Sequence, residues 1–292
     1  MSEPLSTAAT SIAVAAGKEI TATASKGIGQ TVSDIWYVVF GAKWDEERQK
    51  KQIEVANNVD KFKEEITNKS TKILDENRIE PDVEVIGSTL ESAKFRINKD
   101  EIRDMFSNLI VSAMDSSKAN DIHPSFSEMI KMLSPLDAQN LYYLYHNRDE
   151  TISSVRETDT TGGYTEHFKH IFLGNPKCQD NTLIEPSIDN LIRLKLVDVT
   201  YDAQKNDESL YEKHRGNSLI LELKARRTQE IQSYKETLNY LNGGGIIQGA
   251  SQEHQELVIE NLKKLSQDTT IDIQKGIIRL TALGRNFCKI CL

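Results

Sequence analysis

Over the first forty residues apolar side chains recur at every fourth position, at Ala8, Ile12, Ala16, Ile20, Ala24, Ile28, Val32, Trp36 and Phe40. Beside them runs a row of small residues, Ala9, Ala13, Gly17, Thr21, Ser25, Gly29 and Ser33. On a helix a four-residue step overshoots one turn by ~40°, so the two rows wind obliquely as a ridge and a groove. The texture changes abruptly at Asp45, where a charged run begins. From there Ile53, Val55, Ala56, Val59, Phe62, Ile66 and Ile73 keep helical spacing among charges, which predicts an amphipathic helix from Glu46 to about Asp75. Pro81 ends that segment. Val83–Ile86 reads as extended, and Ile102, Met105, Phe106, Leu109, Ile110 and Ala113 predict a core helix over Asp100–Met114.

Two helix starts follow. Ser125 and Glu128 stand in capping-box register, and Ser134-Pro135 places proline at the first helical position before Leu136–Tyr145. Residues 146–181 are polar, with turn signals at Gly162-Gly163 and Gly174-Asn175-Pro176 and a short helix expected over Tyr164–Leu173. From Pro186 a capped helix, Ser187–Leu194, leads into a strand, Lys195–Val199. Thr270–Ile273 and Ile277–Leu280, joined by a turn at Gln274-Lys275-Gly276, predict a wing hairpin before a last helix near Thr281. Between lies a helical insertion, Leu219–Leu241 and Gln252–Leu265, broken at Gly243-Gly244-Gly245.

The predicted fold is therefore mainly α, with a small winged-helix-like β hairpin in the C-terminal half. Three regions are expected: residues 1–44 as a membrane or oligomerisation element, residues 45–80 as the amphipathic helix, and residues 81–292 as a helical domain with its winged-helix-like part over about 134–292. In a winged helix, Ser187, Asn190, Arg193 and Lys195 would lie on the recognition helix and its exit.

Composition narrows the function. A 38% apolar content suits a packed core, while a net charge of -8 opposes non-specific binding to nucleic acid, which is not expected as a partner. Three late cysteines, Cys178, Cys288 and Cys291, fit the reduced thiols of a cytosolic protein. The start lacks the pattern of a secretory signal, and no run of ~18 apolar residues offers an obligate membrane span. No phosphate loop or nucleophile elbow occurs, and Gly243-Gly244-Gly245 with Gly249 misses the dinucleotide spacing. His167, His170 and Cys178 would need a fourth ligand to hold a metal, Cys288-Lys289-Ile290-Cys291 reads as two core thiols, and His123 reads as ordering a turn. No catalytic residue, metal or cofactor is expected.

The blocks Asp104-Met105-Phe106-Ser107-Asn108-Leu109, Ser112-Ala113-Met114-Asp115, His123-Pro124-Ser125-Phe126 and Leu133-Ser134-Pro135-Leu136-Asp137-Ala138 together resemble the abortive infection alpha family. So do Asn190-Leu191-Ile192-Arg193-Leu194 and the closing Leu280–Cys291, and the resemblance spans roughly Pro81–Leu292. It implies a bacterial phage-defence role, in which an infected cell stops growing or dies before phage release, but no mechanism. The resemblance implies glycine at the position where this chain has Lys195.

The amino terminus offers a physical effector. Small residues at every fourth position let helices approach closely in lipid, and Leu5–Phe40 as one helix would be ~54 Å long against a ~30 Å hydrocarbon core. Lys18, Glu19, Lys26 and Asp34 make insertion of a lone helix costly, and an oligomer could turn them and the Thr/Ser rows toward water. Ala13, Gly17, Ile20, Thr21, Ile28, Gly29 and Val32 are the expected contact residues, with Trp36, Tyr37, Phe40 and Trp44 at the far interface. A soluble hairpin packed on its own domain satisfies the same pattern, and both readings stand. The expected effector rests in the cytoplasm, meets a phage protein as its trigger, self-associates, and engages lipid of the inner membrane, forming a pore; the alternative is a winged-helix regulator.

Overall fold

The computed structural model describes residues 49–292, with side chains from residue 57 onward. Ten α-helices and four strands follow in the order α1 (Gln49–Ser70), α2 (Val83–Ala93), α3 (Asp100–Ala113), α4 (Phe126–Met132), α5 (Pro135–Asn147), β1 (Glu150–Thr158), β2 (Tyr164–Phe172), α6 (Asn181–Arg193), β3 (Val197–Thr200), α7 (Glu212–Arg215), α8 (Ser218–Asn242), α9 (Gln252–Leu265), β4 (Thr270–Leu280) and α10 (Ala282–Cys291). They divide into two compact units. The first takes the described chain up to Arg148 with Asp189–Val197 and Leu280–Leu292; the second takes Asp149–Ile188 and Asp198–Arg279.

In the first unit α3 is the central helix, touching α1, α2, α4, α5 and α10. Its apolar residues Ile102, Met105, Phe106, Leu109, Ile110 and Ala113 are all buried on one broad stripe, and buried Arg103, Ser107 and Ser112 extend the covered surface on either side of it, as a helix surrounded by others requires. Its polar residues serve the packing: Ser112 Oγ donates to Ile290 O at 3.1 Å and Asn108 Nδ2 to Cys291 O at 3.1 Å, satisfying carbonyls at the end of α10. Phe126 meets Phe287 edge-to-face, 5.2 Å between centroids. On α1, Phe62 and Ile66 are fully buried one turn apart, each worth ~1.5–3 kcal/mol of burial. Beside them Glu65 pairs with Arg103 at 2.8 Å and Lys69 with Asp104 at 2.5 Å.

Local signals explain the correctly read boundaries. Ser134 Oγ accepts from Asp137 N while Asp137 Oδ2 accepts from Ser134 N, closing a capping box with Pro135 at the first turn of α5. Thr281 Oγ1 caps α10 through Gly284 N at 2.9 Å. The α6 exit is a Schellman turn: Leu196 N bonds Leu191 O and Lys195 N bonds Ile192 O, with Leu191 and Leu196 both buried. Lys195 takes the left-handed position at φ 59, where a side chain costs ~1–2 kcal/mol relative to glycine. Lys195→Gly is therefore expected to stabilise the chain by about 1 kcal/mol after glycine's extra unfolded freedom is deducted. A rise in thermal midpoint checks this, and a fall contradicts it.

Several expected elements are corrected. Val83–Ile86 begins α2 instead of an extended piece, because Asp82 accepts from Glu84 N at 2.7 Å and starts the helix. Ser125 does not cap α4: it has helical backbone geometry, and its hydroxyl meets His123 Nδ1 at 2.8 Å, while Glu128 accepts from Ser92. His123 thus orders the turn. Pro186 lies inside α6, whose start is earlier, where Asp180 accepts from Thr182 N and Oγ1.

The second unit is built on an antiparallel sheet of order β2-β1-β4-β3. Tyr164–Phe172 is strand β2, not a helix, and it pairs with β1 across the turn that contains Gly162-Gly163. The expected hairpin around Gln274-Lys275-Gly276 is instead one continuous strand, β4, paired with β1 from Thr158↔Thr270 to Glu150↔Ile278. Gly276 marks a close approach: a Cβ there would lie 2.6 Å from Thr200 O and 2.7 Å from the Tyr201 ring. One apolar cluster joins Val155, Ile171, Ile271 and Ile273 of the sheet to Tyr211, Ile220 and Leu223. α8 and α9 pack on each other, with the α9 start capped by Ser251.

Candidate functional site

The expected membrane and oligomerisation residues Ala13, Gly17, Ile20, Thr21, Ile28, Gly29, Val32, Trp36, Tyr37, Phe40 and Trp44 lie outside the described residues. Among the described residues, no helix is long and apolar enough to cross a membrane.

The four residues of the proposed recognition helix are placed by α6 and its Schellman exit. Ser187 is buried. Asn190 Nδ2 donates to Asp137 Oδ2 at 2.8 Å and to Met132 O at 3.1 Å, so its amide joins α6 to the start of α5. Arg193 folds back, its Nη2 donating to Asn190 Oδ1 at 2.7 Å with Met132 Sδ 3.9 Å away. Lys195 uses its carbonyl, which accepts from Thr281 Oγ1 at 2.6 Å, while its side chain is exposed. Ser187 and Asn190 are thus committed to packing within the protein, while Arg193 and Lys195 are exposed, Arg193 with its guanidinium folded onto Asn190. Such a face has little with which to follow a phosphate backbone.

Polar constellations that the sequence did not reveal lie in the second unit. His214 is fully buried between two hydroxyls of β1, with Nδ1 2.9 Å from Ser153 Oγ and Nε2 3.0 Å from Thr151 Oγ1. One ring nitrogen donates and the other accepts, the pattern of a neutral imidazole. Burial, helped by Lys213, lowers its pKa to about 4. Ser153 and His214 stand at the distance of a nucleophile and base, but Thr151 fills the place of an orienting carboxylate, and all three are buried.

Glu157 forms a second hub. Its carboxylate accepts from Arg227 Nε at 2.6 Å, Thr269 Oγ1 at 2.7 Å and His167 Nε2 at 2.8 Å, tying β1 to β2, to α8 and to the segment before β4. Burial pushes this carboxyl up, and the three hydrogen bonds outweigh it, leaving it below the ordinary value. His170 meets Tyr201, whose hydroxyl lies 3.1 Å from Nδ1; burial raises that phenol to about 12.

The candidate metal ligands are therefore not brought together: His167 serves Glu157, His170 serves Tyr201, and Cys178 is half-buried elsewhere. Among the described residues, no three His, Cys, Asp or Glu side chains gather as a metal site. Cys288 and Cys291 are buried core thiols, Cys288 pushed up to about 12 by burial and Cys291 well above its ordinary value. Neither is the exposed, low-pKa thiol that redox chemistry uses.

Fold and site together define a mainly α protein with one four-stranded antiparallel sheet, whose interior polar groups hold its elements to one another. The model of the abortive infection alpha family matches residues 54–291, from within α1 to the end of α10. The chain belongs to that family, which associates it with abortive-infection phage defence. No curated protein and no solved structure matches it.

Proposed function

We propose that this protein is a conditional effector of abortive infection. The folded domain recognises a phage protein, and the chain then self-associates and disrupts the inner membrane through residues 1–44. The observation that carries this reading is the double row in that segment, apolar from Ala8 to Phe40 beside small residues from Ala9 to Ser33, the pattern of helices that pack closely in lipid. Support comes from α1, which follows the segment directly and is pinned to α3 by both apolar and charged contacts. A resting chain needs such restraint, because an unconditional pore would kill its host. The resting protein is cytoplasmic in this reading.

In cells infected with a triggering phage, dye uptake and loss of membrane potential are expected before lysis, and deletion of residues 2–44 abolishes both. Persistent killing by the deleted chain would sink the proposal. A second reading, a winged-helix regulator that binds protein or nucleic acid, has one favourable observation: α6 runs into β3, and β3 lies beside β4. The commitment of Asn190 to Asp137 and Met132, with Arg193 folded onto Asn190, weighs against the nucleic-acid version. Salt-dependent retardation of DNA by the purified chain would revive it.

A further inference from the structure

The contact between α1 and α3 is unequal on its two sides. Arg103, itself buried, takes Glu65 of α1 through Nε at 2.8 Å, but it also holds Asp100 Oδ1 at 2.8 Å and Ile97 O at 3.2 Å. Remove α1, and Arg103 keeps two partners from its own neighbourhood. Glu65 is worse served: Oε1 pairs with Arg103, whereas Oε2 is buried without a hydrogen-bond partner. Such an oxygen is shielded from bulk water without a protein donor, so departure from α3 returns it to full hydration. The second clamp, Lys69 to Asp104 and Ser107 Oγ, lies nearer solvent and is screened by salt. Among the described side chains of α1, only Phe62, Ile66 and Ser70 are buried.

We infer that α1 is an autoinhibitory strap, an ion-paired helix whose release from α3 frees the amino-terminal segment to act. The inference rests on the membrane reading of residues 1–44 given above. Two apolar side chains and two ion pairs hold the strap down, and the unpartnered Oε2 of Glu65 weakens that hold. The socket on α3 stays electrostatically satisfied when the strap leaves, so release need not unfold the unit beneath.

Hydrogen–deuterium exchange on the full chain tests this with Glu65→Lys, Lys69→Glu and the compensated double variant Lys69→Glu/Asp104→Lys. Each single variant is expected to speed exchange over residues 57–70 by about tenfold or more while α3 and α5 keep their protection. In cells each should cause phage-independent depolarisation that requires residues 2–44. The compensated variant should restore both protection and quiescence, which a merely misfolded chain would not do. Unchanged protection of residues 57–70 in both single variants overturns the inference. So does release of α1 without depolarisation in cells where the unsubstituted chain still depolarises under phage, a result that leaves the membrane reading standing. Absence of depolarisation from every chain under phage sinks that reading, and the strap's role with it.

Discussion

Gly284→Val is expected to unfold the helical unit. A Cβ built at Gly284 lies 1.9 Å from Leu196 O and 2.8 Å from Leu196 C, both backbone atoms of the Schellman turn that ends α6. No side-chain rotation relieves a clash with main chain, so α10 must move away from Leu196. That movement strips Thr281 of its bonds to Lys195 O and Thr281 N of its bond to Leu196 O, and it disturbs Phe287 and Cys288, both fully buried. Overpacking usually costs 1–3 kcal/mol where side chains can yield; backbone against backbone sets the cost at about 3 kcal/mol or more. Urea denaturation should show a collapsed midpoint or no folded baseline. A midpoint within experimental error of the unsubstituted chain would contradict the packing described for α10.

The second large effect is a pH dependence carried by His214. In the folded chain this imidazole protonates only near about 4, against an ordinary value of 6.5. Between those values the unfolded chain holds more protons than the folded one, so stability falls as pH is lowered from about 6.5 toward 4 and is fully present above that window. At about 1.4 kcal/mol for each pH unit of the difference, the whole effect is about 3 kcal/mol. Its cause is geometric, since the protonated ring would be a buried cation facing Ser153 and Thr151, and neither hydroxyl can neutralise it. His214→Gln removes the titration while retaining a polar group. Its unfolding free energy should vary less between pH 6.5 and 4.5 than that of the unsubstituted chain, even if it is lower at pH 7. Carboxylates common to both chains cancel in this comparison. Identical slopes would show that His214 does not control the window.

His214 also explains why β1 could not be read from the sequence. A half-buried strand is recognised by apolar alternation, but the inner face of β1 presents Thr151 and Ser153 before Val155, and the first two are buried because a histidine 61 or more residues away bonds them. Without β1 there was no partner for β2, whose Tyr164–Phe172 run then passed for a short helix. Gly276 misled in another way. It stands in mid-strand because Thr200 O and the Tyr201 ring crowd it, yet beside Gln274 and Lys275 it has the composition of a turn. The helices were more legible. The apolar positions of α3, the Ser134-Pro135 start of α5 and the Thr281 cap of α10 each carry their own local cause. At Val83–Ile86, β-branched residues outweighed Asp82, which supplies the cap that starts α2.

For the site, residue type alone could not separate a reading face from a packing face. Asn190 looks the same on a helix whether it meets solvent or Asp137 and Met132, more than fifty residues earlier. The clamp between α1 and α3 left a fainter trace: Glu65 and Lys69 sit one turn apart, Arg103 and Asp104 are adjacent and of opposite sign, and charges on a helix are usually solvated. Only the fold brings the two sets together, with Arg103 inside.

Leakage of a trapped dye from vesicles of bacterial inner-membrane lipid tests the central claim most directly. The purified full-length chain is expected to release the dye only when structural proteins of a triggering phage are added, and the chain lacking residues 2–44 is expected to release none under either condition. Leakage caused equally by the shortened chain, or intact vesicles with the full chain and phage proteins together, would contradict it.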